Sequence, residues 1–298
     1  MTQTILILGG SGRLARNAAE AFWNAGWQIK FHDRKTGSLK DDAIGVDVIL
    51  NSWHPSYDKW QEDVPTLTRR VIEAAKASGA TVIVPGNVYS YGASMPQVLT
   101  EATPHRPSNI LCQIRQDMEE TFRASGVPII LIRAGDFLDT EQSGNWFDSV
   151  MIKLLPKALT YPGNPDIPHS WAFLPDVAQV MVQLANRRSE LPRFAEFGFE
   201  GYTITGRELA AALGRVTGNV VKLRPFAWWQ ISLASPFWKM ARYLKMMRYL
   251  WDTPHSIDGG ALHSVLPLVD VTPLDQALSQ ALPQADHHPF MAEAVAAA

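Results

Sequence analysis

The chain opens on an unbroken apolar run, Thr4-Ile5-Leu6-Ile7-Leu8, closed by Gly9 and Gly10. A short apolar run bounded by glycine is the pattern of a strand buried on both faces. Leu14, Ala18, Ala21 and Phe22 then fall on one side of a helix over 13–25, which Gly26 stops. Residues 27–32 and 46–51 read as a second and a third strand. A helix over 64–78 carries Leu67, Val71, Ala74 and Ala75 inward and ends at Gly79. Residues 80–86 and 127–135 read as the next two strands, separated by a helix over 111–125 with Met118 and Phe122 inward. Strands alternating with helices predict βαβ units and a parallel sheet.

The rhythm changes after about residue 140. "HSWAFLPDVAQVMVQLAN" predicts a strand and then a helix capped by Asp176. "AEFGFEGYTITGRELAAALGRVTG" predicts a strand and a helix with a Thr205–Glu208 capping box and Gly218 at its end. Residues 235–251 read as one helix capped by Ser235, with Pro236 in its first turn. Thr272, Pro273 and Asp275 mark one more helix start, and the tail that holds His287 and His288 reads as weakly ordered.

Composition narrows the classes. The 298 residues carry 27 basic and 29 acidic side chains, so no nucleic-acid partner is expected. One cysteine, Cys112, leaves neither a disulfide nor a metal cluster, and a cytoplasmic location fits. No apolar run reaches the ~20 residues of a membrane span, and no membrane partner is expected. The eight histidines form no recognisable metal-ligand set.

The candidate chemistry begins at "LGGSGRLA". The pattern follows a buried strand and opens a helix, where free N–H groups and a partial positive charge suit a pyrophosphate. Gly9 allows the turn, Gly12 the close approach, and Ser11, Arg13 and Leu14 complete the loop. Asp33, 24 residues after Gly9, stands where an acid holds the adenosine ribose. The cofactor is therefore read as NAD(P). Asp33 favours NAD, whereas Arg13, Arg34 and Lys35 offer charge to a 2′-phosphate, and the balance tilts slightly to NADP. Asn51, Ser52 and Trp53 end the third strand and point at the cofactor.

The order of these pieces resembles the extended short-chain dehydrogenase/reductase superfamily, in particular its NAD-dependent epimerase/dehydratase proteins. "ILILGGSGRLA", "GVDVILN", "VPGNVYSYG" with "LTEATPHRP", "IRAGDF" and "HSWAFLPDVAQ" carry the resemblance. It implies a Rossmann-type doubly wound parallel sheet with a smaller C-terminal substrate lobe. Residues 1–140 would form the NAD(P)-binding domain. Residues 141–298 would partly rejoin the sheet and partly form the lobe. The resemblance also implies a small-molecule substrate and allows a homodimer through a helical interface.

The catalytic motifs depart from the family's Ser, Tyr and Lys. Arg115 takes the Lys position, Leu111 the Tyr position and Asn87 the Ser position. Arg115 still suits a ribose, but its pKa above ~12 makes it no proton relay. Tyr89 is the first candidate for a replacement acid, with Asn87 as a hydrogen-bond partner for a carbonyl. Asp136, near the nicotinamide end, and His169, facing the lobe, are secondary candidates. Phe137, Trp146, Phe147, Trp171, Trp228 and Trp229 are candidates for an apolar pocket. Only 12 residues, 34–45, separate Asp33 from the third-strand motif, so one strand of the family's sheet is expected to be missing. Two functions follow: an NAD(P)-dependent oxidoreductase or epimerase/dehydratase-like enzyme on a small carbonyl or hydroxyl compound, or a non-catalytic NAD(P) sensor.

Overall fold

The computed structural model describes residues 2–33, 35 and 37–283. Arg34 and the tail with His287 and His288 lie outside the described residues. The first half runs β1 (Thr4–Leu8), α1 (Arg13–Asn24), β2 (Gln28–Phe31), α2 (Leu39–Asp42), β3 (Val48–Asn51), α3 (Trp60–Ser78), β4 (Thr81–Gly86), β5 (Val98–Leu99), α4 (Ile110–Ala124) and β6 (Ile129–Arg133). The second half adds β7 (Asp136–Leu138), β8 (Ala158–Tyr161), β9 (Pro168–Phe173), α5 (Leu174–Asn186), β10 (Phe194–Gly198), β11 (Tyr202–Thr205), α6 (Gly206–Thr217) and β12 (Lys222–Pro225). The chain continues through α7 (Trp228–Ala234), α8 (Lys239–Met247), β13 (Ser256–Ile257), α9 (Gly260–Val265) and α10 (Leu274–Ala281).

Six parallel strands form the main sheet in the order β10-β6-β4-β3-β1-β2. This is the Rossmann-type arrangement, with β10 rejoining the sheet from the second half. Ile5 to Leu8 of β1 are wholly buried, each worth about 1.5–3 kcal/mol of transfer energy. The residues of α1 and α5 pack on one face with Ile5, Ile7, Val48 and Leu50. Those of α3 and α4 pack on the other with Leu6, Leu8, Val82 and Val84. A third core, built on Phe147, Leu159, Trp171, Phe173, Leu209, Leu213 and Trp251, fills the space among β7, β8, β9, α6 and α10.

The strand expected to be missing after β2 is replaced by the single turn α2, which leaves β2 as an edge strand. His32 at the end of β2 reaches Asp42 of α2 at 2.6 Å, tying the shortened connection to the sheet. Because β1 passes to β2 on one side and pairs with β3 on the other, the sheet has its switch point at the carboxyl ends of β1 and β3. Open α/β sheets bind ligands at that point.

Three local expectations are corrected. Residues 235–251 are not one helix: α7 ends at Ser235, Pro236 lies in the connection, α8 runs to Met247, and a tighter turn covers Arg248–Trp251. Pro236 has no N–H to continue α7, which breaks the run there. Asp176 does not cap α5, whose N-cap is Phe173; its carboxylate instead accepts from the backbone N–H and hydroxyl of Thr272. The aromatic residues expected to line a pocket are mostly core: Phe147, Trp171 and Trp228 are buried, while Trp229 faces solvent.

The charged centre of the sheet is Arg133 at the end of β6. It donates to Glu119 of α4 at 2.9 Å and to Glu196 of β10 at 2.5 Å. Burial alone pushes the Glu119 carboxyl up, but the Arg133 charge and hydrogen bonds outweigh it and hold the carboxyl below its usual range. That contribution to stability is complete above the ordinary glutamate value of 4.5 and is lost as pH falls through the lowered folded value. Arg133→Met leaves two buried carboxylates without their partner and is expected to cost about 3–5 kcal/mol in urea unfolding at pH 7. A loss below about 1 kcal/mol would mean that the carboxylates are stabilised elsewhere.

Candidate dinucleotide and substrate cleft

Two loops meet at the switch point. In the first, Gly9 has φ +78° and its carbonyl accepts from Gly12 N–H at 2.8 Å, closing a tight turn. A Cβ on Gly9 would lie 3.1 Å from Trp53 Cδ1 and 3.2 Å from the Ser52 carbonyl oxygen. A Cβ on Gly12 would lie 3.1 Å from the Gly9 carbonyl oxygen. Glycine is thus required by conformation at the first position and by close approach at the second. Gly12 is the N-cap of α1; no side chain caps that helix end, and its first turn holds no acid. The first amides of a helix lack intrahelical acceptors, so an open, uncapped end is suited to an anion. Ser11 is exposed at the tip of the turn, whereas Leu14 is buried under it.

The second loop follows β3. The Ser52 hydroxyl donates to the Leu8 carbonyl and locks the two strand ends together. Asn51 is buried and its Oδ1 has no hydrogen-bond partner. Beyond Trp53 come His54 and Tyr57, which the sequence reading passed over. The Tyr57 and Tyr89 hydroxyls are 2.8 Å apart. The Trp60 ring lies edge-on to Tyr57 at 5.0 Å and 6.2 Å from that of Tyr89. The local signal for His54 and Tyr57 is their place just past a strand that ends at the switch point of the sheet.

Tyr89 is held by its neighbours. Its backbone N–H donates to Asn87 Oδ1 at 3.0 Å, and the Asn87 carbonyl accepts from Arg133. Asn87 therefore shapes the turn that presents Tyr89. Burial raises the Tyr89 hydroxyl well above the ordinary tyrosine value, with Tyr57 and Asp136 adding to the effect. Burial likewise raises Tyr57. Both hydroxyls keep their protons near neutrality. Tyr91, by contrast, is core: it is buried, its hydroxyl donates to the Thr100 carbonyl, and burial pushes it up to about 12.

Arg115 projects from α4 beneath these rings. Its Nη2 donates to the Pro85 carbonyl at 2.6 Å, its guanidinium lies 5.9 Å from the Trp60 ring centre, and its Nε has no partner. Burial lowers its pKa from the ordinary arginine value, and Arg133 adds to that, while Glu119 opposes it. The cavity beside it, bounded by Asn51, His54, Trp60 and Met118, measures about 10 Å³, room for about one water.

Across the cleft, Asp136 follows β6. Its carboxylate meets His169 Nε2 at 2.7 Å, and the His169 ring stacks on Trp251 at 4.4 Å with 3° between planes. His255 packs edge-on to His169 at 4.6 Å; burial and the His169 charge lower it to about 3, so its ring stays neutral and Nδ1–H donates to the Thr253 carbonyl. The structure thus brings Tyr57, Tyr89, Arg115 and Asp136 into one electrostatic neighbourhood. Asp33 lies apart from it, beyond β2, with one oxygen accepting from Lys35 N–H at 2.8 Å. Arg13 belongs to the cleft rather than to the Asp33 end. Its Nη2 lies near Gly144, and its charge is felt at His54 and Tyr57. Among the described residues no group of three His, Cys, Asp or Glu side chains is placed to hold a metal. No described helix is long and apolar enough to cross a membrane.

No protein-family model matches the sequence, and none of the curated proteins matches it. Solved structures do match the fold. MoeE5 in complex with UDP-glucose and NAD superposes with a TM-score of 0.70 at 14% identity, covering 93% of this chain and 97% of that one. A dTDP-4-dehydrorhamnose reductase from Clostridium acetobutylicum gives 0.69 at 16% identity, covering 94% and 98%. A UDP-N-acetylglucosamine 4-epimerase from Bacillus cereus gives 0.71 at 15% identity, again over 94% and 98%. The chain therefore has the Rossmann-type fold of these epimerases and reductases.

His54 lines an open part of the cleft, with its ring accessible although surrounded by protein. Burial lowers it to about 4, and Arg115 and Arg13 add to the effect. Its imidazole is expected to be neutral above about pH 5, with an NMR titration midpoint near 4 that rises in Arg115→Met. A midpoint near the ordinary 6.5 in the unaltered protein would show that neither burial nor the arginine charges lower the ring.

Proposed function

We propose that the protein is an NAD(P)-dependent reductase of a small carbonyl compound, built on the epimerase/reductase fold without the usual Ser-Tyr-Lys set. The observation that carries the reading is the Gly9–Gly12 turn feeding an uncapped helix end at the switch point. That cradle fits a diphosphate: its amides are open, and at both glycines a Cβ would crowd the turn. The two expected cofactor loops, Gly9–Leu14 and Asn51–Trp53, flank it. The nicotinamide cofactor supplies hydride when bound.

The chain's own residues then hold and polarise the substrate. One hydroxyl of the Tyr57–Tyr89 pair donates to the other, which leaves the second O–H to donate to a substrate oxygen. Raised pKa values keep this donor protonated, so the tyrosinate that would act as a base is scarcely populated near neutrality. The pair therefore suits delivery of a proton to an oxygen that gains charge, as in carbonyl reduction, better than removal of a proton from an alcohol. This favours a reductase over an epimerase, which must work in both directions. Arg115 adds positive charge behind the pair and fixes it, but transfers no proton. Asn87 acts through its turn.

For the cofactor, Asp33 at the end of β2 supports a free ribose hydroxyl and hence NAD. Arg13, turned to the cleft, serves the diphosphate side, so the argument for NADP rests on Arg34 and Lys35. A non-catalytic NAD(P)-binding module is the second reading. It is favoured by one observation, the burial of Arg115 under Trp60 at the family's lysine position.

Stopped-flow and steady-state assays over aldehydes, ketones and quinones separate the two readings. Tyr89→Phe and Tyr57→Phe are expected to lower kcat by about 10²–10⁴ while NADH affinity stays within about twofold. Absence of turnover on every carbonyl, with NADH still bound, would replace the enzyme by the binding module. Arg13→Ala is expected to weaken NADH and NADPH equally in fluorescence titrations. Selective loss of NADPH would put Arg13 on the 2′-phosphate.

A further inference from the structure

The hairpin α7–α8 leaves an unusual surface uncovered. Phe237 is 93% exposed, Leu233 71%, Trp229 66% and Trp238 50%. Trp229 and Leu233 are one turn apart on α7, and Phe237 and Trp238 follow in the connection. The hairpin is nevertheless anchored. Trp228 is buried, its indole N–H donates to the Pro162 carbonyl, and its ring packs on Phe226 at 5.0 Å and Trp146 at 5.9 Å. Ala241 and Met247 hold α8 on the opposite side. The exposed aromatics therefore belong to a structured element and are not a frayed end.

The stretch of chain that holds the hairpin is cationic. From Leu209 to Trp251 the sequence contains no acid, and Lys222, Arg224, Lys239, Arg242, Lys245 and Arg248 are all exposed. The whole chain has a formal charge of −2, so this cationic strip runs against its average. Two acids meet the strip: Asp58, whose carboxyl Lys239 helps to hold low, and Asp252, 3.5 Å from Arg248.

We propose that α7–α8 docks on the surface of an anionic phospholipid bilayer, with Trp229, Leu233, Phe237 and Trp238 entering the interface and the surrounding lysines and arginines meeting the headgroups. Large apolar side chains rimmed by Lys and Arg, with no acid among them, are the composition of an interfacial helix. Tryptophan is at home at that depth. A second copy of the chain fits this face less well, because a two-fold contact would set the cationic strip against itself. Nor does the absence of a ~20-residue apolar run bear on a segment that lies in the interface rather than crossing it. The same stretch of chain continues into Tyr249 and Trp251 beside the cleft, so docking would hold the cleft close to the lipid. The proposal is independent of the dinucleotide reading.

Flotation of the full chain with vesicles of phosphatidylcholine alone, or mixed with phosphatidylglycerol, tests it. Binding to the mixed vesicles and a drop of about tenfold or more on neutral vesicles or in high salt are expected. Phe237→Glu with Trp238→Glu is expected to abolish flotation while leaving the melting temperature and NADH titration unchanged. Lys239→Glu with Lys245→Glu should weaken it by about tenfold or more without touching an apolar side chain. No flotation with either vesicle, or flotation that survives both pairs of changes, would overturn the proposal. So would a dimer in sedimentation that Phe237→Glu converts to monomer without any lipid binding, since the face would then belong to a second copy.

Discussion

The structure depends on how a fully buried strand is made to end. β1 is apolar along its length and cannot finish in a side chain that needs water. It finishes in Gly9, whose left-handed backbone turns the chain so that Gly12 can cap α1 with its own carbonyl chemistry and no side chain. Ser52 then ties the end of β3 to Leu8. The helix end thereby opens at the one place where the sheet reverses direction. Everything assigned to the cleft is positioned from this corner: Asn51 to Tyr57 on the β3 side, Arg13 on the helix, and Asn87 and Tyr89 after β4.

The second organising element is the buried Arg133 centre. It joins β6, α4 and β10 through two carboxylates and reaches the Asn87 carbonyl. The spacing of Arg115 and Glu119 on α4 is that of the Lys and Glu in the family the sequence resembles. In this chain the two are divided between different tasks. Glu119 serves Arg133, and Arg115 serves the Pro85 carbonyl and the underside of Trp60. An arginine in place of lysine keeps the charge under the tyrosines but surrenders the titratable amine. The tyrosine pair beside it keeps its hydroxyls protonated, which is the basis of the reductase reading proposed above.

Much of this was legible in the residues because it is local. The apolar run of β1, the glycine spacing, the end of β3 and the short 34–45 connection all encode their own geometry. The missing strand could be inferred from length alone, since 12 residues do not hold a helix and a strand. Tyr89 could be singled out because it follows β4 closely. Tyr57 could not, because its partner is 32 residues away and the pairing exists only once α3 is laid beside α4. His169 and Asp136 were visible singly but not as a pair, for the same reason. The helix over 235–251 differs at both ends: Ser235 and Pro236 resemble a helix start but close α7 instead, and the helical pattern runs on through the tighter turn Arg248–Trp251. Of the aromatic residues read as pocket lining, packing drew Phe147, Trp171 and Trp228 into the third core and left Trp229 outside.

The central claim is that the amides at the start of α1 hold a dinucleotide diphosphate. Isothermal titration calorimetry of NAD, NADH and NADPH into the unaltered protein and into Gly12→Val tests it most directly. A single saturable site in the unaltered protein, lost or weakened at least about tenfold by the added side chain, is the result the account requires. No heat with any pyridine nucleotide, or equal affinity in Gly12→Val, would contradict it.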